Sequence, residues 1–447
     1  MSFAKKLFCF VLVCKIIILI LFVGYFGSKS LLWSDSTDYL KIGRNIFMGK
    51  GFSNPALDGT VLPNTIRTPL YPLVIGFFDT FMPWGLVFIS FLQAIAAAIS
   101  AVLVYMIGRT FLEHSYAFAV ALIFSFEPLI SVIHMLIMPE TFLLLFILLW
   151  IWFLLDHLKN GTSRSLIFAI IFLALAIYTK SIALYLGFLT LFILIIKHFR
   201  LSKPLFAAFL LLILLAPWMT YNKIRSGTFA MTTDDVGNLC SWELAALIST
   251  RYRLDSTDWL LFMNSPEYLG VQDRCVSTTQ ALRIFISEYP KEFIVSTTVS
   301  AAALLTNDGY SVFFEKPANE QIKPHHNYLT PPVFINRNWP TKMYAAAREM
   351  NGVELAVILA GKIFWIIISS LAFIGAWYLL IRQRLLAVVL LVLFALYIIV
   401  ATTVSTGYGV GARLRYPLDP ILLIFAAAGL KFMWGKYGFH KESTGGN

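Results

Sequence analysis

The chain has 447 residues, 59% of them hydrophobic and only 13% charged, with a mean hydropathy of +0.77. A soluble domain carries roughly 25% charge, so the bilayer is the main solvent here, which excludes a cytosolic enzyme, a fibrous protein and a disordered chain. The formal charge of +11 reads as basic residues gathered in cytoplasmic loops, where they fix orientation, and not as a nucleic-acid surface.

A spanning helix needs about 20 mostly apolar residues. The first candidate runs from about Leu7 to Tyr25 behind Lys5 and Lys6 and lacks the small-residue cleavage site of a secretory signal. It reads as an uncleaved anchor with a cytoplasmic N-terminus. Lys15 interrupts it and is expected to snorkel, while Cys9 and Cys14 read as packing residues. Further spans are expected near residues 84–107, 116–135, 139–156, 165–179, 181–196, 204–220, 353–381, 385–404 and 418–434. Ten spans put both termini on one side. The implied cytoplasmic ends hold Arg109, Lys159 with Arg164, Lys197 with Arg200 and Lys203, Arg382 with Arg384, and Lys436 with Lys441, in line with the positive-inside rule. Residues 290–306 are apolar enough to dip into the membrane. The expected fold is therefore an all-α polytopic membrane protein with about ten, and up to 13, transmembrane helices and a mixed exoplasmic domain. Residues 1–220 form a membrane core with a first outer loop at 27–83, residues 221–352 a large outer domain, and residues 353–447 the last helices. There is no internal repeat of the kind that inverted-repeat transporters carry.

In the first outer loop, apolar or aromatic residues at 39, 40, 42, 46 and 47 predict a short amphipathic helix lying along the membrane surface. Asp35 stands just ahead of it, where a carboxylate favours a helix start by charge and capping, with Ser36 or Thr37 as alternative caps. The same position would hold a carboxylate just above the bilayer, where it can serve as a general base. Asp38 follows one helical turn later and reads as a solvated or arginine-paired side chain. Pro69 and Pro72 then hold Arg67 and Tyr71 at the water boundary, as interfacial anchors or as a grip on a lipid phosphate.

These residues carry a resemblance. Asp35-Ser-x-x-Tyr39-x-x-x-x-x-Asn45 followed by Gly49-x-Gly51-Phe52, then Arg67-x-Pro69-x-Tyr71-Pro72, resembles the first outer loop of the GT-C superfamily of integral-membrane glycosyltransferases. The similarity is to the branch with protein O-mannosyltransferases and the lipid A aminoarabinose transferase. Gly43 is a mild departure, because small residues such as alanine are common there. Ser125-Phe-Glu-Pro128 leading into Pro139-Glu140 is similar to the family's short outer turn with a Glu at the head of its fourth helix. Pro217-Trp218-Met-Thr-Tyr-Asn222 with Thr232, Thr233, Gly237, Asn238 and Leu239 resembles the Pro-Trp-x-x-Arg-Asn hallmark, with Tyr221 in place of the usual Arg. Arg413-x-Arg415-Tyr416-Pro417-x-Asp419-Pro420 is close to the Arg-rich approach to the last span.

The resemblance implies a glycosyltransferase that takes a sugar from a polyprenyl phosphate, undecaprenyl or dolichyl, and transfers it to a lipid, glycan or protein acceptor outside the cytoplasm. It implies Asp35 as the acidic residue of the first loop and inversion at the anomeric carbon. Cations at the outer boundary run against the positive-inside trend, which singles out Arg67, Lys180, Arg413 and Arg415, with Tyr39 and Tyr71, for the carrier phosphate. Lys180 reads alternatively as a turn residue, and Glu140 as a helix-start carboxylate or an active-site acid. No cofactor and no catalytic metal is expected: adjacent His325 and His326 point differently and lack neighbours at ligand spacing.

In the large loop, Trp242, Trp259, Tyr252, Tyr268, Tyr310, Tyr328 and Trp339 suit either sugar stacking or a small core. Cys240 and Cys275 can pair if this side is oxidising. The compact loops point to a bacterial inner membrane with the site facing the periplasm. Competing readings are an O-antigen ligase or polymerase, and a lipid-linked sugar flippase. The first does not account for the Asp35 loop, and the second expects ionisable residues inside the spans.

Overall fold

The computed structural model describes residues 2–33, 35–55, 61–254, 265–314, 329–383 and 385–438. His325, His326, Trp259, Tyr328, Arg384 and Lys441 lie outside the described residues.

Each of the ten apolar stretches carries a helix. Seven are long and apolar enough to cross a membrane: Phe3–Phe26, Gly85–Gly108, Glu140–Asn160, Ser181–His198, Ser202–Ser226, Gly352–Gln383 and Leu386–Gly409. The other three places hold His114–Phe126, Ser163–Thr179 and Asp419–Gly438. The chain is an integral membrane protein built on these helices.

The stretch expected as one span at 116–135 is divided. The helix His114–Phe126 stops, and a second, Pro128–Ile133, starts with its N-terminus capped by Glu127, whose side chain accepts the Ile130 N–H at 2.7 Å. Pro128 has no N–H to continue the first helix, and the Glu127 carboxylate satisfies a donor at the start of the second.

Lys15 does not snorkel. It is 1% exposed, and its ammonium donates to the Ser131 hydroxyl at 3.0 Å. Lipid offers no partner for a charge at that depth, so the side chain turns into the bundle.

The last helix packs backbone to backbone on Gly352–Gln383. A Cβ on Gly375 would lie 2.6 Å from the Gly429 nitrogen, so only glycine permits this approach.

In residues 221–352, expected as the large outer domain, the regular elements among the described residues are helices, including Asp234–Asn238, Leu244–Tyr252, Pro266–Gln272, Thr278–Glu288, Pro290–Thr306 and Trp339–Glu349. The only strands among the described residues are in the first loop, where Ser53–Pro55 pairs antiparallel with Val61–Pro63. Leu244, Ile248, Tyr268, Ala281, Phe285 and Tyr289 form a small core, and the Cys240–Cys275 disulfide, with Cα atoms 5.7 Å apart, joins two parts of it. Tyr268 and Tyr310 are buried, whereas Trp242, Tyr252 and Trp339 keep a large share of their surface.

Candidate active site

The segment expected as the first outer loop carries the helix Ser36–Phe47, whose start is held by the Ser36 side chain. The Ser36 hydroxyl accepts the Trp33 N–H at 2.6 Å and donates to the Ile137 carbonyl at 2.8 Å. Asp35 occupies the N-cap position but makes no side-chain cap bond, so its carboxylate is available for other partners. The helix lies on Leu70–Phe81 with Gly43 against Gly76; a Cβ on Gly43 would sit 2.6 Å from the Gly76 Cα and from the Pro72 carbonyl oxygen. That contact explains why glycine stands where the resemblance leads one to expect alanine. Beneath the helix, Leu31, Tyr39, Tyr71, Ile75, Ile89, Met135 and Ile137 form an apolar cluster.

Arg67 is presented by a turn in which the Asn64 side chain accepts the N–H groups of Ile66 and Arg67, at 3.1 and 2.9 Å. The Thr-rich segment braces that turn: Thr232 donates to the Ile66 carbonyl at 2.6 Å, and the Thr233 N–H donates to the Thr65 carbonyl at 2.9 Å. The segment is itself fixed by the Pro-Trp motif. Trp218 donates its indole N–H to the Met231 carbonyl at 3.0 Å, and Asn222 donates to those of Ala230 and Met231 at 2.9 and 3.1 Å. A motif at the end of the helix Ser202–Ser226 thus holds an arginine more than 150 residues earlier.

Glu140 starts the helix Glu140–Asn160 after Pro139. The strand of chain before it is tied down by Gln93, which donates to the His134 and Leu136 carbonyls at 3.1 and 2.6 Å and accepts the Tyr71 hydroxyl at 3.0 Å, and by Ser90, which donates to the Met135 carbonyl at 2.6 Å. Gln93 and Ser90 escaped the sequence reading; a Gln in an apolar run was the available signal.

Six charged side chains meet at this place. Asp35 lies 3.4 Å from an Arg67 nitrogen through Oδ1 and 3.2 Å from an Arg413 nitrogen through Oδ2. Arg413 reaches Glu140 at 3.6 Å, and Lys180 holds the same Glu140 oxygen at 3.2 Å. Asp38 lies 3.6 Å from Arg67. Glu140 is almost fully enclosed, at 2% exposure, while Asp35 keeps 31% of its side-chain surface and so meets water. The Glu140 Oε2 atom has no hydrogen-bond partner.

Burial opposes the charge on Arg413, yet Glu140 and Asp35 more than offset it and raise its pKa above the ordinary arginine value. Arg67 is raised in the same way: burial works against its charge, and Tyr39, Asp35, Asp234 and Asp38 outweigh it. Burial raises the pKa of Tyr39, with the nearby Arg67 acting the other way, so it stays neutral and serves as a ring beneath the Arg67 guanidinium at 4.9 Å.

Two residues expected to contact the carrier phosphate do not reach this place. Arg415 is completely buried; it donates to Asp419 at 2.7 Å and to the carbonyls of Leu304 and Asn307 at 2.9 and 2.6 Å, and stacks on Trp365 at 3.5 Å. It faces inward because the one-turn helix Ala412–Arg415 sends residues two apart to different sides. Tyr71 is 1% exposed, with its hydroxyl committed to Gln93 and its ring edge-on to Tyr39 at 5.2 Å. It supports the site from below. Among the described residues no group of three or more His, Cys, Asp and Glu side chains is placed to hold a metal.

The family model of dolichyl-phosphate-mannose-protein mannosyltransferases matches residues 67–221, which include Arg67, Glu140 and Lys180 but neither Asp35 nor Arg413. No curated protein sequence matches the chain. Among solved structures, the chain is similar to the apo oligosaccharyltransferase of Archaeoglobus fulgidus, with 10% identity and a TM-score of 0.51 over 97% of this chain and 51% of that one. This chain therefore spans about half the length of that enzyme. It is also similar to ArnT of Cupriavidus metallidurans bound to undecaprenyl phosphate, with 14% identity and a TM-score of 0.40 over 91% of this chain and 77% of that one. The chain has the GT-C fold of integral-membrane glycosyltransferases and, through residues 67–221, resembles the dolichyl-phosphate-mannose-protein mannosyltransferases.

Proposed function

We propose that this protein transfers a sugar from a polyprenyl phosphate to an acceptor at the outer face of the membrane, with inversion at the anomeric carbon. One observation carries the reading: Asp35, from the start of the chain, and Arg413, from near its end, are in contact at 3.2 Å beside Arg67, Glu140 and Lys180. A base that meets water and cations that can hold a phosphate are what this chemistry needs, and both are here within one cluster.

In the proposed reaction the Asp35 carboxylate takes the proton of the acceptor hydroxyl or amine as that atom bonds to the anomeric carbon. The bond from that carbon to the phosphate oxygen breaks, and its electron pair stays on the departing phosphate. Arg413, Arg67 and Lys180 stabilise the charge that builds there. By count the three cations are balanced by Asp35, Asp38 and Glu140. A phosphate would compete with Asp35 for the two arginines and leave that carboxylate freer to take a proton. Glu140, enclosed and shared by Lys180 and Arg413, sets where those cations stand.

The test compares envelope glycans and glycolipids by mass spectrometry in cells with the wild-type protein, with Asp35→Asn, and with neither. A sugar addition seen only with the wild type supports the reading; identical profiles in all three remove it.

A further inference from the structure

A cavity of about 230 Å³ is bordered by Arg413. Its walls include Trp33, Asn307, Asp308, Thr330 and Lys362, and Arg413 is the one member of the charged cluster that lines it. We infer that this cavity receives the uncharged monosaccharide ring of the donor, an assignment that rests on the polyprenyl-phosphate reading above.

The charge of the wall makes the first argument. Asp308 is buried and pairs with the Lys362 ammonium at 3.0 Å, so the two cancel. A free anion gains nothing from such a pair. A sugar hydroxyl, which both donates and accepts, fits it well: each carboxylate oxygen has two acceptor sites, and those of Asp308 are engaged once by Lys362 and once by the Tyr310 N–H at 2.9 Å. An amino sugar would bring a second cation beside Lys362, and a uronate a second carboxylate beside Asp308.

Size and shape agree. Drug-sized ligands occupy roughly 300–1,000 Å³, so 230 Å³ suits one ring and not a chain of them. Trp33 supplies a flat apolar face for the C–H side of a sugar ring. The polar wall is also built in advance. Arg415 holds the Leu304 and Asn307 carbonyls, Asn307 accepts the Gly309 N–H at 3.2 Å, and Gly309 takes the left-handed conformation at φ 70° that closes the turn. Gly361 leaves room for Asp308, since a Cβ there would come within 2.7 Å of the Asp308 Cβ. Because Arg413 borders both places, a phosphate on its guanidinium would have its attached ring at the mouth of the cavity.

The experiment measures binding of polyprenyl phosphate and of polyprenyl-phosphate mannose to the full-length protein in detergent, for the wild type and for the double variant D308N/K362Q. The wild type should prefer the mannose-bearing lipid, and the double variant should lose about tenfold of that preference while its affinity for bare polyprenyl phosphate and its melting temperature stay unchanged. If the double variant melts early, Trp33→Leu, which keeps apolar bulk but removes the flat face, should still reduce the preference several-fold. A preference that survives in a folded double variant, or in Trp33→Leu, overturns the assignment. So does equal binding of both lipids by the wild type, which leaves the glycosyltransferase reading standing. A wild type that binds neither lipid overturns that reading and this one together.

Discussion

Arg413 and Arg415 share the one-turn helix Ala412–Arg415, yet their surroundings differ in every respect that matters. Arg413 keeps 30% of its side-chain surface and is shared at 3.2 and 3.6 Å by two carboxylates from distant parts of the chain. Arg415 has no exposed surface, a 2.7 Å bond to Asp419 four residues on, and two backbone carbonyls besides. Long contacts near water can be exchanged for a phosphate; short bonds in a closed site cannot, because breaking them strands a buried charge. Sequence proximity and identical chemistry thus separate into a group suited to a substrate and a group that holds the fold.

The largest effect should fall on the water-facing cluster. Asp35→Asn should lower turnover by about 10²–10⁴-fold, the usual contribution of a positioned base, and Arg413→Gln by a comparable factor. Neither should move the melting temperature much, because both groups are partly exposed; steady-state rates alongside thermal unfolding check this. Near-normal turnover of Asp35→Asn would remove it as the base.

The opposite pattern is expected for the enclosed arginine. Arg415→Leu should destabilise by about 3–5 kcal/mol, since Asp419 is left buried without its partner. The double variant Arg415→Leu/Asp419→Leu should regain much of that loss. If Arg415→Leu melts normally yet loses activity, the distinction between the two arginines is wrong.

Residues 221–352 give two smaller tests of whether their stability is independent of the charged cluster. Replacing Cys240 and Cys275 with Ser should cost about 2–4 kcal/mol, as expected for a closed loop of this order, with separation 35 in sequence. Thermal unfolding with and without a reductant measures it. Glu243 is enclosed within this region, beside the helix Pro290–Thr306. Burial pushes its pKa up to about 8, with the Ser296 hydroxyl bond acting the other way. The folded state therefore holds its proton more tightly than the unfolded state. This stabilisation is full below about pH 4.5 and is lost as pH rises through about 8. The loss should amount to roughly 1–3 kcal/mol after local relaxation, and Glu243→Gln should flatten the melting profile across that window.

The local rules of helix formation made most of the fold legible. The apolar runs, the amphipathic pattern at 39, 40, 42, 46 and 47, and Pro69 and Pro139 ahead of their helices all act within one or two turns of chain. Where a second local signal competed, the run alone misled: Glu127 and Pro128 divide a stretch that hydropathy joins. Arg67, Lys180 and Arg413 were recognisable because cations at a boundary expected to face outward run against the positive-inside trend, and Asp35 and Glu140 because each stands at a helix start. Which partner each one takes was not.

What the sequence determined by itself was an integral-membrane helical protein with acids and cations at the ends of its apolar stretches, because hydropathy and charge act residue by residue. Only the tertiary structure decided that Arg413 meets Asp35 while Arg415 turns away, that Lys15 faces inward, and that Asn222, Trp218 and Thr232 secure the Arg67 turn. Those outcomes depend on contacts between residues far apart in the chain, set by how whole helices pack, and no local pattern carries that information.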